Sequence, residues 1–195
     1  MGEETVSMRY FIGFLVAIGL LILAIILIIR GFSGGGVSVS TKTPLTNFAS
    51  TNTVMQMVID GPVNVDQNHY QLQMTVGQNL NTMTLYQGYQ GTSVKTDTYP
   101  SNSAAYGEFL RSLQLAGYTH GDTSSSATTD PRGFCPFGER YTLEIVNGSG
   151  QDVQRFWATS CGNQGTFKGN LNTVLQLFQA QFPGYNQIIS NTDLF

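Results

Sequence analysis

The chain has 195 residues and a formal net charge of -3, with 11% charged residues. It contains no run of lysine or arginine, so it lacks the clustered basic side chains that nucleic-acid binding requires, and nucleic acid is excluded as an expected partner. The length suits one membrane segment followed by a single domain large enough to bury a core.

An uninterrupted apolar run without a charged side chain occupies residues 10–29, YFIGFLVAIGLLILAIILII. As a helix it would span roughly 30 Å, the thickness of the hydrocarbon core of a bilayer. Arg30, Gly31 and Phe32 follow it directly, where a cleaved signal peptide would have small residues. The sequence therefore predicts an uncleaved signal anchor that crosses the cytoplasmic membrane once, with residues 1–9 in the cytoplasm.

The orientation of this anchor is inferred from Cys135 and Cys161, because Arg9 and Arg30 on its two sides barely discriminate between the orientations. A disulfide persists where cytosolic reductants do not reach it, so paired cysteines place the C-terminal part outside. Two unrelated buried thiols are the alternative. We expect residues 30–52, rich in Gly, Ser and Thr, to form a flexible linker, and residues 53–195 to form an extracytoplasmic domain.

Alternation of apolar and polar residues predicts a β-meander in the first half of this domain. Residues 54–59 and 70–76 are predicted to form two strands, because Leu72 and Met74 alternate with polar partners. A turn at residues 77–79 then leads to a third strand.

Two amphipathic helices are predicted after the meander. The first has apolar residues at helical spacing and ends at Gly117. These residues are Tyr106, Phe109, Leu110 and Leu113. The second covers about residues 170–182. The tail beyond it, through Ile188 and Ile189, is predicted to add a short edge strand.

The two cysteines enclose a predicted β-hairpin, residues 135–161. A three-residue loop at 147–149, with Gly148 in the left-handed conformation, gives a register in which Cys135 lies opposite Cys161. Because side chains alternate along a strand, this register gathers an apolar face. The face consists of Tyr141, Leu143, Ile145, Val153 and Trp157. The opposite face carries Arg140, Thr142, Glu144, Asp152 and Gln154. Arg155 and Glu144 fall on different faces, so they are not expected to pair.

Together these elements predict an α+β fold with two layers. An antiparallel sheet of about five strands would carry two helices, and the disulfide would close one of its hairpins.

Catalytic and metal-binding patterns are not recognisable in the sequence. His69 and His120 lack neighbours at the local spacing of a typical zinc site. His120 and Asp122 belong to a Ser/Thr-rich loop that would not hold an acid and a base rigidly. We therefore expect no catalytic residue, no metal site and no cofactor.

The C-terminal pattern GFCPFGERYTLEI, RFWATSCGNQGTFKGN and LFQAQFPGY resembles membrane-anchored exported proteins of candidate-phylum bacteria with reduced genomes. This resemblance covers residues 10–185 and implies no activity. A second resemblance is to the secreted bacterial subtilisin inhibitors, in which strands and a helix precede a Cys-Pro and a hairpin that returns to a second cysteine. Cys135 and Pro136 match that family, and the resemblance puts Phe137 at the primary specificity position. The chain lacks the family's other disulfide and adds the helix at 170–182.

The expected function is a binding or cell-envelope-associated module without catalytic activity, with a protein or another cell-surface ligand as its partner. The expected contact residues are Pro136, Phe137 and Gly138 at the start of the hairpin. Tyr86 and Tyr89 either form an aromatic binding platform or pack on the edge of the core, as tyrosines at strand ends more often do. The main alternative is a protease inhibitor that presents Phe137, and a hydrolytic enzyme of the cell envelope is the least favoured one.

Overall fold

The computed structural model describes residues 44–124, 127, 129–162, 164–190 and 192. Six strands form one antiparallel sheet, which confirms the α+β class. They are β1 (Val54–Asp60), β2 (Tyr70–Val76), β3 (Leu80–Gln87), β4 (Thr92–Pro100), β5 (Arg140–Val146) and β6 (Asp152–Thr159). Their order across the sheet is β4-β3-β2-β1-β5-β6. The meander therefore continues into a fourth strand, and the disulfide hairpin joins it through β1.

The predicted membrane anchor, residues 10–29, lies outside the described residues, as do residues 1–9 and the linker up to residue 43. Within the described ranges, no helix has the length and apolar composition of a membrane span. The last part of the predicted linker belongs to the folded domain, because Leu45–Ser50 forms a 3₁₀ helix. Leu45 is fully buried, and its backbone N–H donates to Gln114 Oε1 at 3.0 Å.

The described part of the chain has three α-helices. Helix α1 (Ser103–Leu115) lies between the meander and the hairpin, and α2 (Leu171–Gln179) and α3 (Tyr185–Ile189) follow the hairpin. The side chains of Asn102 and Asn170 cap α1 and α2 by accepting hydrogen bonds from backbone N–H groups in the first turn. The tail forms α3 instead of the predicted edge strand. Tyr185 and Ile188, three residues apart, are both buried, which is the spacing of one helix face.

The hydrophobic core lies between the helices and one face of the sheet, which we call the helix face. Met57 of β1 has Met74 of β2 on one side and Leu143 of β5 on the other, and all three are buried. Phe109 of α1 and Phe178 of α2 meet edge to face, with ring centroids 5.2 Å apart. The opposite face of the sheet, which we call the second face, carries mostly polar side chains.

The register of the disulfide hairpin differs from the predicted one by three residues, since Leu143 lies opposite Phe156. A shift by an odd number moves every side chain of a strand to the other face. Phe156 therefore belongs to the core, whereas Trp157 lies on the second face opposite Thr142. Trp157 is still buried, because Phe134 packs against it with ring centroids 4.9 Å apart. Its predicted place on the apolar face beside Leu143 is wrong.

Two further β6 assignments change for the same reason. Gln154, predicted on the polar face, lies opposite Ile145. Val153, predicted on the apolar face, is exposed.

Two local features cause this shift. The loop is formed by residues 148–150, closed by the hydrogen bond from Asn147 N to Gln151 O, and Gly150 takes the left-handed conformation (φ 79°) in place of Gly148. A bulge between Ile145 and Val146 adds to the displacement.

The predicted disulfide between Cys135 and Cys161 is confirmed, with a Cα–Cα distance of 5.6 Å. It lies outside the strand ladder. A turn closed by Gly138 N and Cys135 O brings Cys135 back toward Cys161.

Candidate functional site

A cleft of about 730 Å³ opens on the second face of the sheet. Strands β1, β2, β5 and β6 form its floor and rim, and residues 129–132 form a wall. Because side chains alternate along a strand, every second residue of these strands points into it. The floor and rim consist of Gln56, Val58, Asp60, Gln71, Thr142, Glu144, Asp152 and Arg155.

Glu144 lies at the centre of the polar network in this cleft and is only 5% exposed. Its Oε1 forms an ion pair with Arg155 Nη1 at 2.6 Å, and its Oε2 accepts a hydrogen bond from Gln56 Nε2 at 2.5 Å. Burial raises the pKa of Glu144, whereas the charge of Arg155 and the hydrogen bond from Gln56 act in the opposite direction. The prediction that Glu144 and Arg155 do not pair is wrong, since the observed register puts them directly opposite each other.

The network continues across the floor onto β2. Gln56 Oε1 accepts a hydrogen bond from Gln73 Nε2 at 2.9 Å. The Gln56 amide is thus held at both ends, by Gln73 on β2 and by Glu144 on β5. Because neighbouring strands fix these groups, the floor presents its polar atoms in a defined arrangement before any ligand binds.

A second charged cluster lies at the end of β1, where Asp60 lines the cleft. Arg140 is buried and donates to Asp60 Oδ2 from Nε at 2.9 Å, and it also donates to Gly61 O from Nη2 at 2.7 Å. Nε2 of His69 lies 2.9 Å from Asp60 Oδ1, and its Nδ1 lies 3.2 Å from Pro62 O. Tyr89 stacks on the His69 ring with centroids 4.1 Å apart. These contacts join β1, β5 and the segment that follows β1.

The wall of the cleft contains another ion pair, between Asp130 and Arg132. Arg132 Nε lies 2.9 and 2.8 Å from the two carboxylate oxygens of Asp130. These hydrogen bonds lower the pKa of Asp130 to about 2, and the charge of Arg155 acts in the same direction.

The predicted contact residues before the hairpin lie outside the cleft. Phe137 is 92% exposed at the corner of the turn from Cys135 to Gly138. Pro136 O accepts a hydrogen bond from Val63 N at 2.8 Å, which ties this turn to the segment after β1. Gly138 fits closely here, since a Cβ at this position would lie 2.7 Å from Cys135 Sγ.

The two predicted contact tyrosines are separated in the structure. Tyr89 is exposed, and its hydroxyl donates to Asn64 O at 2.8 Å, so it belongs to the same end of the sheet as Phe137. Tyr86 is half-buried in β3, opposite Gln71 of the cleft. The structure therefore connects Tyr89 with the Phe137 turn through residues 63 and 64, and puts Tyr86 beside the cleft.

The cleft residues Gln56, Asp60, Asp130 and Arg132 were not predicted as site residues from the sequence. Gln56 and Asp60, which share one face of β1, were a usable signal for a second face with polar side chains. This signal could not identify the partners of these residues, which come from strands that are distant in the sequence.

A scan against protein-family models gives no match for the chain, and no curated protein sequence matches it.

Proposed function

We propose that this protein is a membrane-anchored, extracytoplasmic binding module that holds its ligand in the cleft without transforming it. The observation that carries the proposal is the pairing of charges around the cleft. Asp60 pairs with Arg140, Glu144 with Arg155, and Asp130 with Arg132. Because the charges are paired, their contributions to the electrostatic potential of the cleft largely cancel. This surface therefore suits recognition of a polar ligand by directed hydrogen bonds.

The rigidity of the floor supports binding in particular. Gln56 and Glu144 lie on adjacent central strands and hold each other in place. A site built on strands keeps its geometry better than one built on loops, and little ordering entropy is then lost when a ligand binds.

The proposed location is supported by the apolar run at residues 10–29 and by the disulfide between Cys135 and Cys161. An oxidised pair is typical of compartments outside the cytoplasm. The ligand would then be a protein segment or a small polar molecule on the outer side of the cytoplasmic membrane.

The proposal is tested with the full-length protein in detergent micelles and a library of polar small molecules and short peptides. We expect some compounds to raise the melting temperature and to be recovered chemically unchanged by mass spectrometry. The double variant Glu144→Gln with Arg155→Gln should lose this response. Its matched control, Glu108→Gln with Arg111→Gln, changes exposed side chains of α1 and should keep it. Conversion of any compound, or a response that survives the cleft variant, would contradict the proposal.

The alternative of a protease inhibitor is supported by one observation, the exposure of Phe137 beside the disulfide. Against it, Phe137 occupies a tight turn, whereas a segment that pairs with a protease by strand addition is extended. An assay with chymotrypsin-like and subtilisin-like proteases decides this alternative. Inhibition that Phe137→Gly abolishes would support it, and no inhibition by the wild-type protein would remove it.

A further inference from the structure

We propose that the cleft binds the zwitterionic head group of a free α-amino acid, with its carboxylate on Arg155 and its ammonium on Asp152. This inference rests on the proposed function, because it identifies the ligand class of the same cleft. It follows from the charge balance, the unused donors of Arg155 and the exposed carboxylate of Asp152.

The charge balance of the cleft favours a ligand that carries both signs. Asp60 and Asp130 each have an arginine of their own, Arg140 and Arg132. The other two carboxylates, on Glu144 and Asp152, share Arg155. The groups around the cleft are thus nearly neutral in sum, so a polyanion or a polycation would gain little from the field of this surface.

Arg155 has a free edge for a carboxylate. Its Nη1 contacts Glu144, but neither its Nε nor its Nη2 donates a hydrogen bond to any residue that the structure describes. Its side chain is 39% exposed, at the rim of the cleft. A guanidinium presents its N–H groups in a planar fork that matches a carboxylate, so the free edge can take the ligand in a bidentate manner.

Asp152 is the carboxylate around the cleft that retains most of its acceptor capacity. It is 41% exposed, and its Oδ2 lies 3.6 Å from Arg155 Nη1, which is beyond hydrogen-bond distance. Both oxygens of Glu144, in contrast, have close partners. Asp152 and Arg155 are neighbours on the rim, so an acceptor for an ammonium lies close to a donor for a carboxylate.

The floor of the cleft would receive the side chain of the amino acid. It offers the amide of Gln71 and the hydroxyl of Thr142, and the cavity of about 730 Å³ exceeds the size of the head group. We therefore expect polar side chains to be preferred.

The experiment is calorimetric titration of the full-length protein in micelles with each standard L-amino acid, its α-amide and its N-acetyl derivative. We expect at least one polar amino acid to bind, and its amide and N-acetyl forms to bind about tenfold more weakly or worse, since each loses one charge-assisted contact. Arg155→Gln should lower the affinity for the unmodified amino acid, and Arg155→Lys should restore part of that affinity. Asp152→Asn should lower the affinity for the unmodified amino acid and leave the affinity for its N-acetyl form unchanged.

Equal affinity for the unmodified amino acid and its amide would overturn this inference. It would also be overturned if Asp152→Asn lowered the affinity for the unmodified amino acid and for its N-acetyl form by the same factor. Arg111→Gln, on α1, is the matched control and should bind like the wild type. Binding of neutral library compounds in the cleft without any amino acid would overturn the ligand class and leave the proposed function standing. A cleft that binds no compound would overturn both.

Discussion

The buried carboxylate of Glu144 couples the stability of the fold to pH. Burial raises its folded-state pKa above the ordinary value of 4.5. Between 4.5 and that raised pKa, the folded protein binds more protons than the unfolded chain does. The contribution of Glu144 to the free energy of unfolding is therefore fully present below pH 4.5 and is lost as the pH rises through this window.

We predict that Glu144→Gln removes this dependence. The stability difference, wild type minus variant, should fall as the pH rises above the ordinary value of 4.5, because only the wild type loses a proton at position 144. Urea denaturation at several pH values measures it, with the exposed Glu108→Gln as the control. Parallel stability curves for the wild type and Glu144→Gln would contradict the prediction.

Two phenylalanines in the segment that the disulfide closes give a test of the hairpin register. Phe156 is 1% exposed and Phe137 is 92% exposed. Phe156→Ala should lower the free energy of unfolding by about 3–5 kcal/mol, because it opens a cavity in the core. Phe137→Ala should change it by less than about 0.5 kcal/mol. Urea denaturation measures both values, and a small cost for Phe156→Ala would indicate that this side chain does not face the core.

At the scale of elements, the strands and helices with regular apolar periodicity could be predicted from the sequence. The alternation in β2 and the helical spacing in α1 leave one structural interpretation each. Strand β4 could not be found in this way. It is an edge strand and is mostly exposed on both faces, so its sequence TSVKTDTYP carries no apolar alternation.

The candidate site was predicted less well, because its contacts depend on register and on distant pairing. Glu144 and Arg155 meet only if the loop uses Gly150, a choice that two nearby glycines leave open. Asp60 and Arg140 are 80 residues apart, and they pair because β5 adds to β1 instead of to β4. Local patterns do not contain that information.

A pair of glycines tests how closely the segment after α1 packs on the sheet. A Cβ at Gly121 would enter the ring of Phe156, whereas a Cβ at Gly107, inside α1, would meet nothing within 4 Å. Gly121→Ala should destabilise the protein by about 1–3 kcal/mol through overpacking. Gly107→Ala should stabilise it by about 0.5–1 kcal/mol through helix propensity. Thermal and urea denaturation compare the two, and equal effects would contradict the described packing.

The disulfide should act mainly on the unfolded chain, since it joins residues separated by 26 positions. Replacing Cys135 and Cys161 by serine should lower the free energy of unfolding by about 3.5 kcal/mol on the loop-entropy relation. Denaturation of the wild type with a reductant should give a similar loss, and the serine variant should not respond to the reductant. A loss below about 1 kcal/mol would show that the unfolded state is already compact without the crosslink.

For the whole molecule, the proposed location outside the membrane has a direct test. In intact cells, a thiol reagent that cannot cross membranes should label Cys135 and Cys161 after reduction. The serine variant is the control for background labelling. Protection of both cysteines until the cells are lysed would place the domain in the cytoplasm and contradict the proposed orientation.

The central position of β1 has a consequence for synthesis of the chain. Gln56 of β1 and its neighbour Glu144 of β5 are 88 residues apart, so the meander emerges from the ribosome long before β5 can pair with it. Until then β1 is an open edge, with Met55, Met57 and Ile59 lacking their neighbours on β5. Pairing over such sequence separation is slow, and an unpaired edge invites association with other chains. The newly made protein should therefore depend on a holding chaperone until its last third has been synthesised.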